Sequence, residues 1–160
     1  MSILTTVAFE VGQILKARNE TVSVCESSCA GLISSSLVAV PGASAYYVGG
    51  CVVYTRISQK AFLNVEDDEM LNIRASTEEY AALNANRTRI SLGTTWGLSE
   101  TGASGPTGNR YGDDAGHACL AISGPVNQVK TLETGEFDRE SNMTAFAVAA
   151  LELFRDSLRS

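Results

Sequence analysis

Apolar residues return at Leu4, Val7, Ala8, Val11, Ile14 and Leu15, the three-and-four spacing of a helix with one buried face. Lys16, Arg18 and Asn19 then supply the cations and the stop expected at a helix C-terminus. The period changes at Thr21-Val-Ser-Val-Cys25, which alternates, is β-branched and predicts a short strand. Small residues from Ser27 to Gly31 predict a turn, and Leu32 to Val40 a helix stopped by Pro41-Gly42. Ala45 to Thr55 is aromatic and β-branched and predicts a strand, with Gly49-Gly50 marking a bulge or a close backbone approach. Arg56 to Leu63 is a short helix. Ser76-Thr-Glu-Glu79 fits a capping box that opens a helix running to about Leu92.

Thr94 to Glu100 predicts a further strand, followed by the glycine-rich stretch from Thr101 to Gly112. Ala115 to Ser123 and Gln128 to Thr134 form a strand pair around Gly124-Pro125. The last helix gathers Met143, Phe146, Ala150, Leu153, Phe154 and Leu158 on one face. Helices alternate with strands, as in a parallel sheet, but the strand pair adds antiparallel neighbours. The expected fold is therefore α/β, a three-layer α/β/α sandwich on a mixed sheet. The 160 residues fit a single domain over 1–160, with no repeat and no interdomain linker.

Composition narrows the function. Hydrophobic residues make up 44% and charged residues 19%, ordinary for a globular chain. The net charge of −6 repels phosphate backbones, so no nucleic acid is expected as a partner. No apolar run reaches membrane-spanning length, and Met1-Ser2-Ile3-Leu4 lacks the basic start of a signal peptide. The expectation is a cytoplasmic protein with no membrane partner. Cys25, Cys29, Cys51 and Cys119 form no C-x-x-C pair and fit reduced thiols, three of them in apolar stretches. Cys29 differs, because it sits in a glycine-containing turn; a reactive thiolate there needs a nearby cation or base. His117 lies in an apolar segment and is expected to pack within a strand. One histidine and scattered cysteines argue against a metal site, and the acidic run Glu66-Asp-Asp-Glu69 is expected to be a solvated face. No cofactor is implied.

Three loops carry the candidate chemistry. In α/β sheets ligands bind beyond the carboxyl ends of strands. Glu26 to Gly31 joins a strand to a helix, and its backbone N–H groups are placed to take an anion or oxyanion, or merely to cap the helix. Pro41-Gly-Ala-Ser-Ala-Tyr46, followed by Tyr54, holds a serine that attacks an amide only if another group removes its proton. With a single strand-bound histidine, tyrosine or lysine must do so; the alternative is a turn serine and a core tyrosine. Thr101 to Gly112 lacks the lysine of a P-loop but is able to wrap a phosphate or ribose through backbone N–H groups, or to serve as a plain connection.

In order and spacing, Cys25-Glu-Ser-Ser-Cys-Ala-Gly31, Pro41-Gly-Ala-Ser-Ala-Tyr46, Gly49-Gly-Cys-Val-Val-Tyr54 and Thr101-Gly-Ala-Ser-Gly-Pro-Thr-Gly108 resemble the CinA C-terminal domain, or PncC, family over nearly the whole chain. The family pattern reads A-E-S-C-T-G-G, P-G-S-S-A-Y/F, G-G-x-V-x-Y-S-N-x-x-K, T-G-I-A-G-P-x-G and K-P-V-G-T-V. The resemblance implies a sandwich fold, a homo-oligomer and, in active members, hydrolysis of the carboxamide of nicotinamide mononucleotide or a related small amide to the acid and ammonia. It implies Ser44 or Ser27 as nucleophile, assisted by Tyr54 and a lysine. The substrate is then nucleotide-like, bound around Glu26, Gly31, Gln59, Thr101, Gly102, Ser104, Gly105, Gly108 and Arg110.

The departures from that pattern matter. The family lysine falls on Gln59, and an amide accepts no proton; Lys60 is adjacent but rotated by about 100° on a helix. The family K-P-V-G becomes Asp113-Asp-Ala-Gly116, placing carboxylates where a phosphate wants a cation, so Arg110 or Arg56 would have to compensate. A late Asp138-Arg139 pair fits the pattern, but a second arginine that follows it there is replaced by Met143. These losses support the alternative of a diverged, non-catalytic binding or assembly module, and they leave open an amidase for a less anionic substrate.

Overall fold

A computed structural model describes residues 1–160. Helix α1 (Ile3–Arg18) starts at Ser2, whose hydroxyl accepts from the Thr5 N–H, and stops at Asn19 in the left-handed conformation. Strand β1 (Val22–Glu26), helix α2 (Leu32–Val38), strand β2 (Tyr47–Val52), helix α3 (Arg56–Leu63) and helix α4 (Glu78–Leu92) follow. The chain ends with β3 (Trp96–Ala103), β4 (His117–Ser123), β5 (Gln128–Glu133) and α5 (Arg139–Arg159).

The five strands form one sheet in the order β2-β1-β3-β4-β5. β1 runs parallel to both β2 and β3, whereas β4 runs antiparallel to both β3 and β5. α1, α2 and α5 cover one face, and α3 and α4 lie on the other. The expected three-layer sandwich with a mixed sheet is what forms. The main core lies under α1, α2 and α5, where Leu15, Ile33, Leu37, Tyr46, Trp96, Phe146 and Phe154 are all but fully buried. Trp96 meets Phe154 edge-on with ring centroids 5.7 Å apart.

Several boundaries differ from the sequence expectation. Ala43–Ala45 form a 3₁₀ turn, so β2 starts only at Tyr47. The strand irregularity lies where Val22 and Ser23 pair with Tyr47 and Gly49, not at Gly49-Gly50. Gly50 does mark a close approach, since a Cβ there would stand 2.7 Å from the Val24 carbonyl oxygen. Thr77, not Ser76, caps α4: its hydroxyl accepts from the Tyr80 N–H, while Ser76 has φ +60° and donates its own N–H to Thr101. β3 runs on through Ala103, because pairing with the antiparallel β4 carries it into the glycine-rich stretch. No helix is long and apolar enough to cross a membrane.

Candidate functional site

The parallel strands β1, β2 and β3 deliver Glu26, Tyr54 and Thr101 to the same end of the sheet. There a hollow of about 840 Å³ opens, lined among others by Ser27, Tyr54, Arg74, Ser76, Thr101 and Arg110. A smaller hollow of about 190 Å³ shares Tyr54, Gly102 and Asn109 with it and adds Ser28, Ser104, Gly105, Gly108 and Arg139. The cleft therefore collects Ser27, Tyr54, Thr101, Gly102, Ser104, Gly105, Gly108 and Arg110 from the residues singled out in the sequence.

Five other residues named in the sequence lie outside it. Ser44 is exposed in the turn before β2, and the Tyr46 carbonyl beside it accepts from Val22 at the start of β1. That is the opposite end of the sheet. The length of β2, at about 3.3 Å per residue, places Ser44 on the order of 20 Å from Tyr54, so the two do not meet within one chain. Lys60 sits on the outer side of α3, with its ammonium 3.4 Å from Glu66 and 3.6 Å from Asp67. Gln59 is fully buried: its amide donates to Asn84 Oδ1 at 2.8 Å, and its oxygen accepts from Arg56. The position that carries a lysine in the family pattern is thus a structural tie between α3 and α4.

Glu26 and Gly31 are the remaining corrections. The Glu26 carboxylate turns inward and accepts the N–H groups of Gly31, Ile33 and Ser34 at 2.9–3.1 Å. One residue past the Cys25–Ser99 pairing, β3 presents Glu100 alongside Glu26. Its Oε2 accepts the N–H groups of Ser27 and Cys29 at 3.0 and 2.9 Å, and its Oε1 accepts from the Ser28 hydroxyl. The backbone donors expected to hold an external anion are therefore held by the chain's own carboxylates. Burial, with Glu100 nearby, raises the Cys29 thiol well above its ordinary range, and no cation lies beside it to make a thiolate.

Positive charge gathers in the cleft despite the acidic chain. Four arginines line the two hollows: Arg56, Arg74, Arg110 and Arg139. Arg56 is held by Asp67 at 2.8 Å. Arg74 makes a two-pronged contact with Asp113 at 2.8 and 3.2 Å, and this pairing pulls the Asp113 carboxyl below its usual range. Asp113 also accepts from the Asn109 amide, so it anchors an arginine rather than opposing a ligand. Arg74 and Arg110 stack against the Tyr111 ring at 4.8 and 5.0 Å. Arg110 and Arg139 have no carboxylate partner. Arg139 donates to the Gly105 carbonyl and, at 2.9 Å, to the Tyr54 hydroxyl oxygen, which leaves the phenol hydrogen free to point into the cleft.

Arg74, Arg139, Ser28 and Glu100 were not among the sequence candidates. Two of them left a signal: Arg139 in the late Asp138-Arg139 pair that fits the family pattern, and Glu100 as a carboxylate at the end of a predicted strand in the middle of an α/β sheet. His117, as expected, packs in a strand: one ring nitrogen meets Glu133, and the other is 2.8 Å from the Ser76 carbonyl. The acidic run forms surface ion pairs, with Glu69 on Arg87 and Asp67 on Arg56.

The family model described as the CinA C-terminal domain matches residues 4–158. A "CinA-like protein" of Salinibacter ruber is 34% identical over 148 residues, covering 92% of this chain and 36% of its own length. One from Myxococcus xanthus is 35% identical, covering 91% of this chain and 35% of its own length. The chain thus spans little more than a third of these relatives. The competence/damage inducible protein CihA from Agrobacterium tumefaciens superposes with a TM-score of 0.89 at 23% identity, over 100% of this chain and 98% of that one. The competence damage-inducible protein A of Klebsiella pneumoniae gives 0.91 at 21% identity, over 98% and 97%. With a family model spanning nearly its whole length and relatives more than 30% identical, this chain belongs to the CinA C-terminal domain family.

Proposed function

We propose that the cleft binds a small phosphate-bearing molecule of the nucleotide kind and hydrolyses its carboxamide to the acid and ammonia, nicotinamide mononucleotide being the substrate that the family resemblance points to. The observation that carries this reading is the set of arginines in a chain of net charge −6, with Arg110 and Arg139 free of any carboxylate. A guanidinium presents paired N–H donors that match phosphate oxygens. Tyr111, already stacked by two arginines, offers an aromatic edge for a flat ring. Hydroxyls from Ser27, Tyr54 and Thr101 supply the polar groups around a carboxamide.

The burial of Gln59, where the pattern has a lysine, favours a second reading in which the same cleft binds without turnover. One experiment separates the two. The protein is titrated with nicotinamide mononucleotide by calorimetry, and ammonia is assayed in parallel. Binding with ammonia release, both lost in the Arg74→Ala/Arg110→Ala double variant, supports hydrolysis. Binding without ammonia supports the module. Neither binding nor ammonia removes this substrate from consideration.

A further inference from the structure

Amide hydrolysis needs a hydroxyl in contact with a group that takes its proton. The Lys60 ammonium is on the far side of α3, and the His117 ring is held by Glu133 and the Ser76 carbonyl. Ser27 lines the cleft, but its hydroxyl makes no hydrogen bond within the chain; only its backbone is engaged, the N–H by Glu100 and the carbonyl by the Ala30 N–H. Its neighbour Ser28 is different. The Ser28 hydroxyl donates directly to Glu100 Oε1, and Ser28 lies in the wall of the smaller hollow with Tyr54 and Arg139. Glu100 is 1% exposed and forms no ion pair, and its other oxygen is fixed by two backbone N–H groups. A carboxylate so held keeps Oε1 aimed at one hydroxyl.

We propose that Ser28 is the nucleophile of this cleft and Glu100 its proton acceptor, an assignment that rests on the hydrolytic reading above. Neither residue comes from the resemblance: the family motif has cysteine at the Ser28 position, and Glu100 lies outside every motif. Ser28 Oγ bonds to the carboxamide carbon while its proton passes to Glu100 Oε1 and the carbonyl pair moves onto oxygen. Arg139 and the Tyr54 hydroxyl are the donors that face this oxygen in the hollow. The carbonyl re-forms, the C–N bond breaks, and Glu100 returns the proton to the leaving nitrogen, which departs as ammonia. Water then attacks the ester and gives its proton to Glu100, which delivers it to Ser28 Oγ as the acid leaves. Burial, reinforced by the neighbouring Glu26, raises the Glu100 carboxyl above its ordinary value, although the bonds from Ser28, Cys29 and Ser27 oppose this. A raised carboxyl is the better proton acceptor near neutral pH.

The test needs no knowledge of the substrate. The full chain is treated with diisopropyl fluorophosphate, which gains a P–O bond to an activated serine and loses fluoride. Adducts are located by peptide mass spectrometry between about pH 5 and pH 9. We expect one adduct, on Ser28, absent in Ser28→Ala and retained in Ser27→Ala. Glu100→Gln should label about a hundredfold more slowly. Its amide oxygen can still accept the Ser27 and Cys29 N–H groups, so an unchanged melting curve separates chemistry from folding. The labelling rate should rise with pH through a carboxyl titrating above the usual glutamate range, and Glu100→Gln should abolish that rise. An adduct on Ser27, no adduct on the parent at any of these pH values, or equal rates for parent and Glu100→Gln would overturn the assignment. A parent that labels at Ser28 yet releases no ammonia from nicotinamide mononucleotide keeps the pair and removes the substrate. Ammonia release that survives Ser28→Ala keeps the reaction and removes the pair.

Discussion

The turn from Glu26 to Gly31 and the loop from Thr101 to Asp113 are both rich in small residues, and both stand at the cleft end of the sheet. They use their polar groups in opposite ways. In the first, Glu26 and Glu100 accept five backbone N–H groups, so the turn is closed to an outside anion. In the second, the carboxylate Asp113 is held by Arg74 and Asn109, while Arg110 projects into the cleft without an acidic partner. Amide groups at the end of a strand form an anion site only when no carboxylate of the chain reaches them first. In this protein the backbone of the turn is fixed by the chain's own carboxylates, and the longer loop carries a guanidinium, Arg110, that no carboxylate neutralises.

The largest expected effect comes from releasing the turn. Glu26→Ala strands three N–H donors, that of Ile33 buried and those of Gly31 and Ser34 half-buried, each costing up to about 1–3 kcal/mol. Urea unfolding should therefore show a loss of roughly 3–5 kcal/mol. A loss below about 1 kcal/mol would mean that water replaces the carboxylate and the turn is not closed. On the other side of the comparison, Arg110→Ala should weaken binding of nicotinamide mononucleotide by about 10–100-fold, the range of one charge-assisted hydrogen-bonded contact. Calorimetry checks this. Unchanged affinity would place the phosphate away from the longer loop.

A smaller effect concerns pH. Burial disfavours a charged His117 ring, but Glu133, the Ser76 carbonyl and Asp113 together outweigh it and raise the pKa above the ordinary value. A raised folded-state pKa means that the native protein holds this proton more tightly than the unfolded chain. The resulting stability is fully present below about pH 6.5 and is lost as pH rises through the folded-state value. Thermal melting should fall across that window in the parent and flatten in His117→Asn. A parent curve that is flat there, or that rises, would contradict it. The smallest effect is expected at Lys60. It is half-exposed and paired only on the surface, so Lys60→Ala should change stability by less than about 0.5 kcal/mol and leave ammonia release untouched. A collapse of activity in that variant would return the lysine to the mechanism.

The legible parts of this site were those with local causes. Tyr54 follows a strand and precedes a helix capped by Thr55, and both are visible as period changes and a hydroxyl. The glycine-rich stretch announced a loop, and Arg110 within it announced charge. Ser44 failed as a partner of Tyr54 for a topological reason. A residue before a parallel strand and one after it lie at opposite ends of the sheet, however well their motif matches. Gln59 and Lys60 failed because one helical step separates a fully buried side chain from a surface ion pair.

By itself the amino-acid order determined the elements, the three-layer α/β fold and the family, because hydrophobic period, caps and turn residues are interactions between near neighbours. Only the tertiary structure decided which polar groups meet. Glu100 reaches Ser28 across 72 residues, and Arg139 reaches Tyr54 across 85. Such contacts depend on strand register and on which end of the sheet a loop leaves, and no local pattern encodes either. That is why the charge of the cleft is opposite to the charge of the chain.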